Sequence, residues 1–201
     1  ESADTTDTSD YTDIGGGEGD ANKVAYHLPA MGGLTVGASF ADSGAVGSTD
    51  TTAFGFNYKM DAGGTAVTLG GASATTEATT TDKDMQNLGV KIVSGNLTFI
   101  ASQSSEEAAD EDISNTGAAI SYKMANGMVL VAHTMKSEDD LDAGEEYTKS
   151  GVELQYVVAA GLTAVINVDD YEYTAATTPD ATGTATSDSG TVSKLTLKAS
   201  F

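Results

Sequence analysis

The sequence contains no cysteine, no tryptophan and no arginine, and only two prolines among its 201 residues. Without cysteine there is no disulfide framework, no thiolate metal site and no cysteine nucleophile. The nine basic residues are all lysine and face 30 acidic ones, which gives a net charge of −21 and a pI near 4.1. No basic patch exists to displace counterions from phosphates, so nucleic acid is excluded as a partner. No apolar run approaches the roughly 18 residues of a membrane helix, and no basic-then-apolar leader opens the sequence. Apolar residues make up only 39%, while glycine is plentiful at 23. Low hydrophobicity with high charge is also the composition of disordered chains, so patterning has to decide.

The apolar residues alternate with period two and almost nowhere with period 3.6, which predicts strands. Eleven are read, over 22–28, 33–41, 51–60, 65–73, 86–94, 96–104, 115–124, 127–136, 147–158, 161–172 and 191–201. They exceed the usual strand of about 5–6 residues and approach the about 9–11 that a tilted strand needs to cross a bilayer. Alternate links are short: Pro29-Ala30-Met31-Gly32, Asp61-Ala62-Gly63-Gly64, Ser94-Gly95, Ala125-Asn126-Gly127 and Ala159-Ala160. The intervening links, 42–50, 74–85, 105–114, 137–146 and 173–190, are long and acidic. Short turns at one end and long polar loops at the other predict an all-β, antiparallel up-and-down transmembrane barrel.

The strands have two unlike faces. Leu195, Leu197, Ala199 and Phe201 oppose Lys194, Thr196, Lys198 and Ser200, and Phe54, Phe56, Tyr58 and Met60 oppose Ala53, Gly55, Asn57 and Lys59. Val24, Tyr26 and Leu28 oppose Lys23, Ala25 and His27; Leu88, Val90 and Ile92 oppose Asn87, Gly89 and Lys91. Ala118, Ile120 and Tyr122 oppose Gly117, Ala119, Ser121 and Lys123; Val152, Leu154 and Tyr156 oppose Lys149, Glu153 and Gln155. Small residues and isolated lysines fill a core badly but line water well, so the polar face is expected inside and the apolar face against lipid. Tyr26, Tyr58, Tyr122 and Tyr156 each precede a short turn, as an aromatic girdle at a membrane boundary requires. Segment 127–136 is apolar on both faces, which leaves Val129, Val131 and His133 unassigned. Tyr171 shares the parity of Asn167 and Asp169, which suggests a bulge or a strand end before it.

The stretch Gly17-Glu18-Gly19-Asp20-Ala21-Asn22-Lys23-Val24-Ala25-Tyr26, followed by Pro29 and Gly33-Leu34-Thr35-Val36-Gly37-Ala38-Ser39-Phe40, resembles the general diffusion porins of Gram-negative bacteria, nearest to the alphaproteobacterial kind. The close, Leu195-Thr196-Leu197-Lys198-Ala199-Ser200-Phe201, is similar to their assembly signal, and Tyr58-Lys59-Met60 and Tyr122-Lys123-Met124 fit too. The resemblance implies a trimeric, sixteen-stranded barrel in the outer membrane, in contact with lipid and lipopolysaccharide, with a third external loop folded inward to narrow the pore. Residues 1–20 would be the end of that constriction loop, and 21–201 the barrel strands with their loops. About five strands of the family pattern are then missing ahead of the sequence, and an odd count of eleven departs from a bacterial barrel. The arginine cluster that family members often place in the pore is absent too.

The expected pore lining is Lys23, His27, Lys59, Lys91, Lys123, Lys149, Glu153, Gln155, Lys194 and Lys198. The lysines either set up a transverse field against acidic groups across the pore or merely keep the interior wet. Lys59 and Lys123 stand near the short-turn rim. Of the 30 acidic residues, 18 fall in 1–20, 103–114 and 136–146. Gathered at one mouth they raise local cation concentration, so weak cation selectivity is expected for small hydrophilic solutes and ions. No cofactor is required; the acidic loops offer oxygen ligands suited to Ca²⁺, although no segment has the calcium-loop pattern. His27 and His133 are the only histidines, and no serine–histidine signature accompanies them, so an enzyme is not expected. His133 is read near an external strand end. The rival readings are an acidic surface protein with a structural or adhesive role, and a barrel enzyme.

Overall fold

The computed structural model describes residues 22–42, 50–77, 81–109, 112–141, 145–174 and 187–199. The acidic segment 1–20 and the terminal Phe201 lie outside the described residues, as do Asp110, Glu111 and Asp142 of the acidic links.

Eleven strands follow one another: β1 (Asn22–His27), β2 (Leu34–Asp42), β3 (Thr51–Asp61), β4 (Thr65–Thr76), β5 (Lys83–Ser94), β6 (Leu97–Glu107), β7 (Asp112–Lys123), β8 (Val129–Asp139), β9 (Glu145–Ala159), β10 (Leu162–Thr174) and β11 (Asp188–Ala199). Each pairs antiparallel with its neighbour in sequence, giving one sheet in the order β1 to β11 with no crossover. Among the described residues β1 and β11 are the two edges.

The short links hold the glycines that the turns need. Every positive-φ residue described is glycine, and all seven lie in these five links. Two of them, β5–β6 and β9–β10, have only two residues, and in the second Gly161 at φ 75° occupies the turn. The turn therefore comprises Ala160 and Gly161 rather than Ala159-Ala160, and the bulge sits at Leu162/Thr163. At Gly33 (φ 90°) a Cβ would lie 2.0 Å from the Lys59 carbonyl oxygen, and the Lys59 amide donates to the Gly33 carbonyl at 2.9 Å. Only a bare α-carbon lets the first hairpin turn back onto β3 there.

The acidic ends differ from the sequence reading. β4 through β11 run two or three residues further into the acidic links than 73, 86, 104, 115, 136, 147, 172 and 191, which leaves connections over 77–82, 108–111 and 140–144. Charge does not end a strand whose side chains reach water while its backbone groups stay paired. Glu107 thus stands opposite Asp112, and Glu138 and Asp139 opposite Glu146 and Glu145. The two ends of the sheet differ less in loop length than the sequence suggests.

Among the described residues no large side chain is fully buried, and many large apolar ones are exposed, Val24 at 72%, Leu195 at 68% and Ile166 at 50% among them. A water-soluble barrel of this size would hide these residues. Among the described residues the six buried ones other than glycine are Ala41, Thr51, Ala74, Val131, Val165 and Asp169. The register puts all six on the face that carries Lys23, Lys91 and Lys149. That every buried residue other than glycine falls on one face marks it as the inside of the curve. The lysine face is concave and the apolar face convex.

Candidate functional site

All ten residues expected to line a pore share the concave face. Lys123 pairs with Val129 beside a short turn, and Lys59 is third from the end of β3. Tyr26, Tyr58, Tyr122 and Tyr156 all stand on the convex face near the short-turn ends. β8, unassigned by its sequence, places Leu130 and Ala132 outward and Val131 and His133 inward. His133 is the fifth residue of β8 and faces the lumen at mid-strand, not near an external end, because β8 runs on to Asp139. Tyr171 needs no bulge before it: pairing is unbroken from Thr163 to Thr174, so Asn167, Asp169 and Tyr171 all face inward.

The concave wall has two unlike halves. Across β2 to β7 its middle rows are small and uncharged: Gly37, Gly55, Ala72, Asn87, Ser104 and Asn115 in one. The next row runs through Gly70, Gly89, Ser102 and Gly117. Asn87 turns its side chain onto the wall, its Oδ1 accepting from the Ala72 amide at 3.0 Å. His27 lies over Gly37, where an added Cβ would meet its Nδ1 at 2.7 Å.

Across β8 to β10 the wall is large and charged. Gly151 lies between His133 and Asp169 in the register. The Asp169 carboxylate lies across that glycine, with Oδ1 3.0 Å from His133 Nε2 and Oδ2 2.8 Å from Lys149 Nζ. Its side chain is only 9% exposed, against 23% for His133 and 28% for Lys149. Oδ1 accepts no hydrogen bond of good geometry, so His133 meets it as a close approach rather than an aligned donor. Gln155 donates to Glu153 at 2.7 Å. Tyr147 and Tyr171 stack with centroids 6.4 Å apart. The Tyr171 and Tyr173 hydroxyls donate to Asp188 and Glu145 at 3.1 and 3.0 Å. Sequence reasoning named His133 and Lys149 but missed Asp169 and Gly151, because only the register brings β8 and β10 together over β9.

At the acidic end, Lys136 Nζ lies 2.8 Å from Glu138 and 2.9 Å from Glu146. Lys136 points outward beyond the apolar belt, where hydrocarbon would not tolerate it. Glu138 first, then Glu146, holds its ammonium above the usual lysine range. Lys83 pairs with Glu106 in the same rim. Among the described residues no group of three or more His, Asp or Glu is arranged to hold a metal ion.

A family model described as Gram-negative porin matches residues 2–199. The chain therefore belongs to the Gram-negative porins, proteins of the outer membrane. Among solved structures it is similar to OccAB4 of Acinetobacter baumannii at 12% identity and TM-score 0.65, covering 89% of this chain and 52% of that one. A porin refined at 1.8 Å is 18% identical at TM-score 0.62, covering 90% and 62%. OprD of Pseudomonas aeruginosa is 10% identical at TM-score 0.60, covering 88% and 60%. At such identities the likeness shows the fold, an outer-membrane β-barrel. No curated protein is found to match. The chain spans between about half and three-fifths of these structures.

Proposed function

We propose that the complete protein forms a water-filled channel through which small hydrophilic solutes and ions diffuse passively, with a weak preference for cations. The observation that carries this is the sorting of side chains: lysines, amides and small residues on the concave face, large apolar ones on the convex face. A wet lumen inside a lipid-facing wall sieves by size and biases by fixed charge. The rim carboxylates Glu106, Glu107, Asp112, Glu138, Asp139, Glu145 and Glu146 would concentrate cations at the mouth. Further strands would close the sheet, since hydrocarbon satisfies no unpaired edge at β1 or β11.

Homotrimeric assembly within lipid and lipopolysaccharide is what the family pattern implies. Ca²⁺ on the acidic loops is a reading of composition alone. The channel reading assigns no covalent step: His133 is flanked in the register by Ala119 and Gly151, neither of which carries a nucleophile.

Liposome swelling tests the reading. Vesicles carrying the complete protein should admit pentoses faster than disaccharides. A folded, inserted protein admitting neither would favour the rival reading of a structural or adhesive surface barrel.

A further inference from the structure

We propose that Asp169 is a specificity-determining residue of the lumen wall, its carboxylate, seated over Gly151, cancelling the charge of Lys149 and holding His133 beside it. The proposal rests on the channel reading and names the group that sets the wall charge of the β8–β10 half.

Three observations carry it. Gly151 supplies the space: a Cβ there would stand 2.0 Å from Asp169 Oδ1 and 2.6 Å from the Val168 carbonyl oxygen. Any other residue would lift the carboxylate off the wall. Register supplies the reach, because His133, Gly151 and Asp169 are cross-strand partners in one row and Lys149 is two residues along β9. Burial supplies the strength, since Asp169 is among the six buried residues other than glycine. A carboxylate so withdrawn is screened little by salt, and its pairing with Lys149 persists where an exposed pair would be worth little.

Lys149 therefore differs from Lys194 and Lys198. Lys194 and Lys198 are exposed on β11 and present open charge, whereas Lys149 and Asp169 sum to zero. On the same face around the cluster stand Glu153, bonded to Gln155, the stacked Tyr147 and Tyr171, Asp188 and Glu145, which accept from the Tyr171 and Tyr173 hydroxyls, and Lys194, opposite Asn167. Removing Asp169 exposes one uncompensated cation. Removing Lys149 exposes one uncompensated anion. Opposite single changes shift ion preference in opposite directions, which a purely structural staple would not do.

The test is the reversal potential in a KCl gradient for the complete protein and for D169N, K149Q and the D169N/K149Q double variant. D169N should lower the cation-to-anion permeability ratio by roughly twofold. K149Q should raise the ratio, and the double variant should return close to the parent. Conducting D169N and K149Q channels with the parent ratio would overturn the proposal and leave the channel reading intact. If D169N fails to assemble, K149Q decides alone, an unchanged ratio again overturning the proposal. A folded parent protein that does not conduct overturns the channel reading, and this inference with it.

Discussion

Asp169 on β10 and His133 on β8 meet across an intervening strand, Oδ1 to Nε2 at 3.0 Å, because the residue between them on β9 is Gly151. Side chains two strands apart are ordinarily separated by the side chain in the middle. Here its absence turns three strands into one electrostatic unit with Lys149. The same economy holds His27 against Gly37 near the other edge of the sheet.

Gly151→Ala should destabilise the barrel. Its Cβ would meet Asp169 Oδ1 at 2.0 Å and the Val168 carbonyl at 2.6 Å, and relieving such overlap costs about 1–3 kcal/mol. Gly117→Ala is the control, since its nearest neighbour, the Thr134 carbonyl, would be 3.6 Å away. Heat-modifiable gel migration should show G151A losing the folded form at lower temperature, with G117A unchanged. Equal behaviour of the two would contradict the tight seat at Gly151.

Face assignment predicts a parity effect on β10. Ile166 is 50% exposed on the convex face and Asn167 faces the lumen. Ile166→Lys should cost about 2–4 kcal/mol near the bilayer midplane, while Asn167→Lys should cost little. Urea unfolding in lipid vesicles measures both. A costly N167K beside a harmless I166K would invert the wall.

At the rim, Lys136→Gln leaves Glu138 and Glu146 directly opposed with no cation between them. Like charges directly across a ladder repel. Amide exchange at Asp139 and Glu145 should quicken in the variant at low salt and recover toward parental rates at high salt, where the repulsion is screened. Exchange that is indifferent to both the mutation and the salt would show that Lys136 does not hold this rim.

The sheet was legible because period two is a local signal: Phe54-Gly55-Phe56-Asn57-Tyr58-Lys59 shows its two faces without any tertiary context. The external strand ends were not. Acidic runs such as Ser104-Ser105-Glu106-Glu107 look like loop, yet a ladder continues wherever a paired neighbour satisfies the backbone, and pairing is non-local. The common face of these lysines could be read by parity alone. The Asp169 cluster could not, because its parts lie on three strands and their meeting depends on a glycine whose role only the register reveals. β8 was ambiguous because both its faces are apolar, and only its pairing shows that the buried Val131 faces inward.

Single-channel recording of the complete protein in planar bilayers under a salt gradient tests the account most directly. A water-filled lumen walled by these lysines and fed by an acidic rim predicts discrete ohmic steps and a reversal potential on the cation-preferring side. A folded, inserted barrel that stays electrically silent would contradict the open lumen. Steps with a clear chloride preference would contradict the role given to the rim carboxylates.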